Sequence, residues 1–195
     1  MNSIKQIEVI YNNRLVGRLA LTREGLCAFE YSAEWLSSGF SISPFELPLR
    51  SGVFIAKPRP FEGGFGVFDD CLPDGWGLLI LDRYLQQKGI NPRTLTLLDR
   101  LALVGSTGRG ALEFRPDNSV VTRQDFADFE KLALEAEKIL ASDDYMGEGI
   151  EEFQDRGGSP GGARPKIFVR YNDKEWLEPR GIRRVSVWMN TAIRC

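Results

Sequence analysis

Histidine is missing from this 195-residue chain, and that one absence removes several chemistries together. Ser-His-Asp and Cys-His nucleophilic centres, His-ligated zinc and histidine general bases cannot be built from it. Any acid–base step must fall to Asp, Glu, Lys or Tyr. Cysteine is scarce: Cys27, Cys71 and Cys195 are odd in number and lack metal-ligand spacing, which predicts reduced, packed thiols in a cytosolic protein. Long apolar runs are absent too. The stretch at residues 78–81 is far too short to span a bilayer, and residues 1–6 carry neither the basic nor the apolar region of a signal peptide. The cytoplasm, without membrane contact, is the expected location. Nor is there an excess of one charge: 25 Lys and Arg against 27 Asp and Glu leave −2. No global basic field draws the chain to nucleic acid, so direct nucleic-acid binding is not expected and any DNA contact would come through a basic partner.

What is present suffices for one good core or two small ones, with 43% hydrophobic and 11% aromatic residues. Residues 7–11, Ile-Glu-Val-Ile-Tyr, have the β-branched and aromatic character of a strand. Asn12-Asn13 offers positive φ for a tight turn, residues 15–21 form the return strand, and Gly25 opens a third over residues 26–31. Ser32 caps a short helical turn that Gly39 ends. Residues 40–68, rich in Pro, Gly and Phe, read as extended wrapping without regular elements.

A helix begins at Leu72-Pro73-Asp74-Gly75-Trp76, with Asp74 near its N-terminus and Gly89 closing it. A second spans about residues 94–103, and residues 111–114 read as a strand ended by Pro116. The strongest amphipathic pattern covers residues 122–141, with Phe126, Phe129, Leu132, Ala133, Ala136 and Leu140 on one stripe. Residues 143–156 are acidic and polar and read as a linker. A strand at residues 166–171, a turn at Asn172-Asp173 and a return strand at residues 175–177 follow.

The segment Gly157-Gly158-Ser159-Pro160-Gly161-Gly162-Ala163-Arg164-Pro165-Lys166 is the most distinctive. Glycines let backbone N–H groups line up on phosphate oxygens without a Cβ in the way. Kinase glycine-rich loops are followed by strands, as here, whereas P-loops lead into a helix and need a Gly-Lys-Ser/Thr that this chain lacks. By itself the segment reads first as a flexible surface turn before a hairpin, and only second as a phosphate cradle. Other candidates favour structural readings: Gly105 to Gly110 as a crossover turn over an anion nest, Asp69-Asp70 as a solvated turn or cap over a carboxylate pair, and Trp76 as a core residue whose indole N–H finds a partner.

The run from Ser159 to Lys166 resembles the glycine-rich loop of HipA-type serine/threonine kinase toxins. Leu47-Pro48-Leu49, Leu72-Pro73-Asp74-Gly75-Trp76-Gly77, residues 101–105 and Gly108-Arg109-Gly110-Ala111-Leu112 match that family's N-terminal subdomain in content and order. The resemblance covers about residues 5–177. It implies an α+β fold: a small antiparallel sheet with packed helices, then a partial kinase-like N-lobe of glycine-rich loop and β-hairpin. The implied divisions are 1–116 for the N-terminal subdomain, 117–156 for a helix and acidic linker, 157–177 for the partial N-lobe and 178–195 for a tail. Ser159 would then correspond to the autophosphorylated serine. Gly161, Gly162 and Ala163 would surround ATP phosphates, with Arg164 and Lys166 nearby. For these side chains a solvated hairpin edge, and for Ser159 a turn-capping hydroxyl, stay open.

The resemblance also shows departures. A nucleotide-holding lysine is expected just after Trp176-Leu177, where this chain has Glu178-Pro179-Arg180, and Pro179 opposes a sheet strand. The metal ligands and the positioning aspartate of a kinase C-lobe are not found. No catalytic or metal residue is therefore assigned, and weak or no binding of ATP and Mg²⁺ is expected. Residues 178–195 lack a clear period and match nothing in the family. A reading-frame change after Leu177 is the expected origin, because codons for Trp188-Met189-Asn190-Thr191 read from the third base give Asp-Glu followed by Tyr or His. The leading expectation is a truncated toxin component, ancestrally a protein kinase, restrained by a helix-turn-helix antitoxin. A non-catalytic module that binds an antitoxin or restrains a separate kinase chain is the alternative, and an unrelated small binding domain is a third.

Overall fold

The computed structural model describes residues 3–108, 110–119, 129–142, 145, 147, 150–151, 153–154, 162–171 and 183–188. They fall into two compact units, residues 1–72 with 93–119, and residues 73–92 with 120–195.

In the first unit, β1 (Gln6–Tyr11), β2 (Arg14–Leu21) and β3 (Cys27–Tyr31) make the expected antiparallel meander. Asn12 and Asn13 have φ of 46° and 60°, the left-handed pair that matches a two-residue hairpin to strand twist. Ser32 accepts from the Trp35 amide at the start of α1 (Ala33–Ser38). The region expected to lack elements instead supplies β4 (Val53–Ile55) and α2 (Gly66–Asp69). Each is too short for its period to show in the sequence, and tertiary burial creates both. With β5 (Leu112–Arg115) the sheet has five strands in the order β4-β3-β2-β1-β5. Gly17 is required where β2 meets β3, since a Cβ there would stand 2.2 Å from the Glu30 carbonyl oxygen.

One face of this sheet is the core. Ile7, Val9, Leu19, Phe29 and Phe114 are buried, and Phe68 of α2 lies against both Phe29 (5.5 Å between ring centroids) and Phe114 (6.3 Å). Helix α4 (Leu97–Val104) adds Leu98 and Leu101. Thr96 and Asp99 cap it reciprocally, and the free carboxylate oxygen of buried Asp99 accepts the Ile4 amide at 2.9 Å. Cys27 and Cys71 are buried thiols in this core. Burial pushes both up to about 11, helped for Cys71 by Asp70, so they stay protonated at neutral pH. Cys195 lies outside the described residues.

The second unit is built on α3 (Gly75–Gln87) and α5 (Phe129–Ala141). Helix α3 ends in a paired turn: Gly89, at φ +72°, donates to Gln86, and Ile90 donates to Leu85, satisfying carbonyls that the helix leaves open. The expected start of α5 at residues 122–128 lies outside the described residues. Its buried stripe is Leu132, Glu135, Ala136 and Ile139, whereas Leu140, expected on that stripe, is 52% exposed. The acidic stretch at residues 143–156 is not simply a linker, because Ile150 and Phe153 are fully buried and pack with Trp76, Leu132 and Ile139. Their three-residue spacing puts both on one helical face, hidden in the sequence by the surrounding charge. Trp76 meets Phe153 edge-on at 5.3 Å, a contact worth about 0.5–1.5 kcal/mol beyond area burial. The Trp76 indole N–H has no acceptor among the described residues, contrary to expectation. Buried Arg83 donates to the Ile139 carbonyl at 2.7 Å, placing a cation at the negative end of α5.

A two-stranded antiparallel ribbon completes the unit, β6 (Lys166–Tyr171) paired with β7 (Arg183–Trp188) from Lys166↔Trp188 to Tyr171↔Arg183. The expected return strand at residues 175–177 lies outside the described residues, and the tail, read as having no period, supplies the described partner instead. Arg183-Arg184-Val185-Ser186-Val187-Trp188 alternates two β-branched residues with polar ones, which suits a short strand.

Glu135 makes this unit sensitive to acid. Its carboxylate accepts from Lys138 Nζ at 2.8 Å and from the Tyr145 hydroxyl at 2.6 Å. The Lys138 bond first, and then the Tyr145 bond, hold its pKa below the ordinary glutamate value against the opposing effect of burial. A carboxylate lowered on folding contributes stability above its unfolded pKa, and that contribution is lost as pH falls through the folded value. Glu135→Gln should therefore lower the urea midpoint at about pH 7, with the gap to the parent closing by about pH 3. A gap independent of pH would contradict the assignment.

Candidate phosphate-binding loop

The six residues expected to line a nucleotide site fare differently. Ser159 and Gly161 lie outside the described residues. Gly162 has φ +82°, Ala163 and Arg164 are exposed, Pro165 is buried, and Lys166 is the first residue of β6.

Gly162 is held by the N-terminus of α3. Its carbonyl accepts from the Trp76 amide at 2.9 Å, one of the amides that the first turn of a helix leaves without an internal partner. Its own amide donates to Asp74 Oδ1 at 3.3 Å. Asp74 is the N-cap residue of α3, yet its side chain makes no capping bond to that helix. The expected role of complementing the helix amides thus passes to the Gly162 carbonyl, while the carboxylate reaches the incoming loop.

The sequence allows this contact because position 75 is glycine. Gly75 has φ +45°, and a Cβ there would lie 2.4 Å from the Gly162 oxygen and 2.9 Å from the Ala163 nitrogen. Any side chain would meet backbone, which has little freedom to move. Asp74-Gly75-Trp76 therefore works as a unit: the carboxylate takes an amide, the glycine gives clearance and the next amide takes a carbonyl.

The weaker candidates resolve as structure. In the Gly105 turn the anion position is filled by the protein itself, since Asp117 accepts from the Ser106 amide at 3.0 Å and the Ser119 amide at 2.9 Å. Burial would raise the Asp117 pKa, but its bonds to Ser106 and Ser119 outweigh this and lower it. Arg109 lies outside the described residues. Asp69 and Asp70 sit exposed at the end of α2. Partial loss of solvent around its carboxyl, then the charges of Asp70 and Glu62, raise the Asp69 pKa above its ordinary value even at this exposed position. Among the described residues no group of three or more Cys, Asp or Glu is placed to hold a metal ion, and no helix is long and apolar enough to cross a membrane. Sequence reading missed Asp99, Arg83 and Glu135. Only Asp99 carried a signal, the Thr96-x-x-Asp99 spacing of a reciprocal cap.

Gly75→Ala tests the seat of the loop. Amide exchange at Trp76 and Gly162 should accelerate by at least about tenfold, while protection in β1 to β3 is unchanged. Unaltered protection at Trp76 would show that the loop does not depend on position 75.

The family model of the HipA N-terminal domain matches residues 7–115, a span running from β1 to the end of β5. Among solved structures, the fold is similar to a HipA chain from Shewanella oneidensis MR-1, described as a toxin–antitoxin system HipA, HipB and operator DNA complex. The TM-score is 0.52 at 21% identity, covering 88% of this chain and 37% of that one; the chain thus spans little more than a third of the length of the HipA chain it matches. No curated protein sequence matches significantly. With the match extending across more than half of its residues and all five strands of its larger sheet, the chain belongs to the HipA N-terminal domain family.

Proposed function

We propose that the chain is a HipA-type component of a toxin–antitoxin system, and that it binds an antitoxin without itself transferring phosphate. The observation that carries this reading is the family match over residues 7–115, joined to a glycine-rich segment seated on the Asp74-Gly75-Trp76 unit of the same family region. In the intact kinase architecture, Ser159 would be the phosphorylated loop serine. Gly161, Gly162 and Ala163 would approach ATP phosphates, with Arg164 and Lys166 beside them and Mg²⁺ accompanying the nucleotide.

The fit fails at Gly162 in this arrangement. The amide a phosphate would need is given to the Asp74 carboxylate, and that carboxylate would itself repel an anion at short range. The loop then acts as a structural closure of α3. The partner favoured is a basic helix-turn-helix antitoxin, because the chain has a net charge of −2 and DNA contact is expected to be supplied by such a partner. Restraint of a separate kinase chain is the other non-enzymatic role open to the same surfaces.

Two measurements on the purified chain test this. Co-expression with a helix-turn-helix antitoxin of the HipB type should give a stable complex on size exclusion. Titration with a fluorescent ATP analogue should give no saturable binding up to about 1 mM, the upper end of ordinary substrate constants, and radiolabelled ATP should leave the chain unlabelled. Autophosphorylation at Ser159 would overturn the non-catalytic reading; failure to bind the antitoxin would overturn the partner reading.

A further inference from the structure

Among the described residues, only one of the two edges of the five-stranded sheet is closed. On the β5 side, the Phe114 amide donates to the Gly105 carbonyl at 3.1 Å, so the chain leaving α4 covers that edge. On the other side lies β4, which among the described residues pairs with β3 alone. The Ala56 amide donates to the Cys27 carbonyl at 2.8 Å, and the register continues Ala28↔Ile55, Phe29↔Phe54 and Glu30↔Val53. Antiparallel pairs alternate between hydrogen-bonded and non-bonded positions. Phe54 therefore points its amide and carbonyl at β3, while Val53 and Ile55 point theirs away from the sheet. Their side chains are 57% and 61% exposed. The open edge thus offers backbone donors and acceptors together with two apolar side chains on one face.

The segment that carries this edge strand, between Glu46 and Glu62, holds charges of one sign. Residues 47–61 contain Arg50, Lys57 and Arg59 and no Asp or Glu, in a chain of net charge −2. Arg50 is set beside the strand, its guanidinium 4.5 Å from the Phe54 ring centroid, and all three cations are exposed. Glu30, opposite Val53, is the acidic neighbour on the sheet, and Arg18 stands opposite Glu30 in turn. An antiparallel pairing of two copies about Phe54 would bring both sets of cations together, and Pro58 and Pro60 stop the edge from lengthening. These are ordinary protections against edge-to-edge association. They do not act against a strand of opposite charge.

We infer that the β4 edge receives an extended, acidic peptide segment of another protein, added as a sixth strand. Affinity would come from the outward amides and carbonyls of Val53 and Ile55, and selectivity from their side chains and from Arg50, Lys57 and Arg59. This is independent of the nucleotide loop and of whether the chain transfers phosphate.

The test uses the full chain and two fluorescein-labelled peptides with the same alternating Val-Thr centre, one flanked by pairs of Glu and one by pairs of Lys. In anisotropy titrations the acidic peptide should bind saturably and at least about tenfold more tightly than the basic one, a gap of about 1.4 kcal/mol. The difference should shrink as salt shortens the screening length. Val53→Pro removes an outward donor at an edge position where proline is tolerated, and should weaken the acidic peptide by about tenfold with the urea midpoint unchanged. Should that variant misfold, Ile55→Glu, at an exposed position, must weaken the acidic peptide relative to the parent. Equal binding of both peptides, no binding of either, or a dimer in sedimentation that Ile55→Lys dissolves would each overturn the proposal.

Discussion

Two backbone groups set 88 residues from their partners, or nearly so, hold the second unit's loop in place: Gly162 donates to the Asp74 carboxylate, and Trp76 donates to the Gly162 carbonyl at 2.9 Å. Both bonds need close passage of two main chains, and Gly75 is the residue that allows it. Closing so long a stretch of chain costs entropy that grows only slowly with its length. Burial near the same helix offsets that cost, because Trp76 is 1% exposed and packs against Phe153. The tryptophan thereby serves twice, its amide holding the loop and its ring anchoring the core formed with α5.

This arrangement gives a physical meaning to the segment Leu72-Pro73-Asp74-Gly75-Trp76-Gly77, which lies within the matched family region. Its residues are chemically varied but do one mechanical job, presenting a helix start to a glycine-rich strand lead. Leu47, in the segment Leu47-Pro48-Leu49, does comparable work in the first unit. It is fully buried, and its carbonyl accepts both the Tyr31 hydroxyl at 2.6 Å and the Ser41 hydroxyl at 2.9 Å. Both segments lie within the matched family region, and in each unit they are places where the chain is tied to other parts of that unit.

Much of the first unit was legible from residues alone. Asn12-Asn13 announced a hairpin, Ser32 a cap and the residue 111–114 run an added strand, because each depends on local φ preference or short-range bonding. What was not legible depended on partners far away in sequence. Val53-Phe54-Ile55 is too brief to show alternation, and Gly66-Val67-Phe68-Asp69 becomes helical where Phe68 meets Phe29 and Phe114. Ile150 and Phe153 were masked by acidic neighbours. At the loop, glycine content pointed correctly to close backbone approach. It could not distinguish a phosphate from the carboxylate and helix amide that Gly162 meets in this structure, since both are recognised through the same backbone groups.

The most direct measurement is NMR detection of through-bond scalar coupling across the Trp76–Gly162 hydrogen bond in the deuterated, nitrogen- and carbon-labelled chain. A correlation between the Trp76 amide nitrogen and the Gly162 carbonyl carbon is the result predicted. Absence of that correlation, with the Trp76 amide exchanging at the rate of an unprotected residue, would contradict the central claim that the loop closes the start of α3.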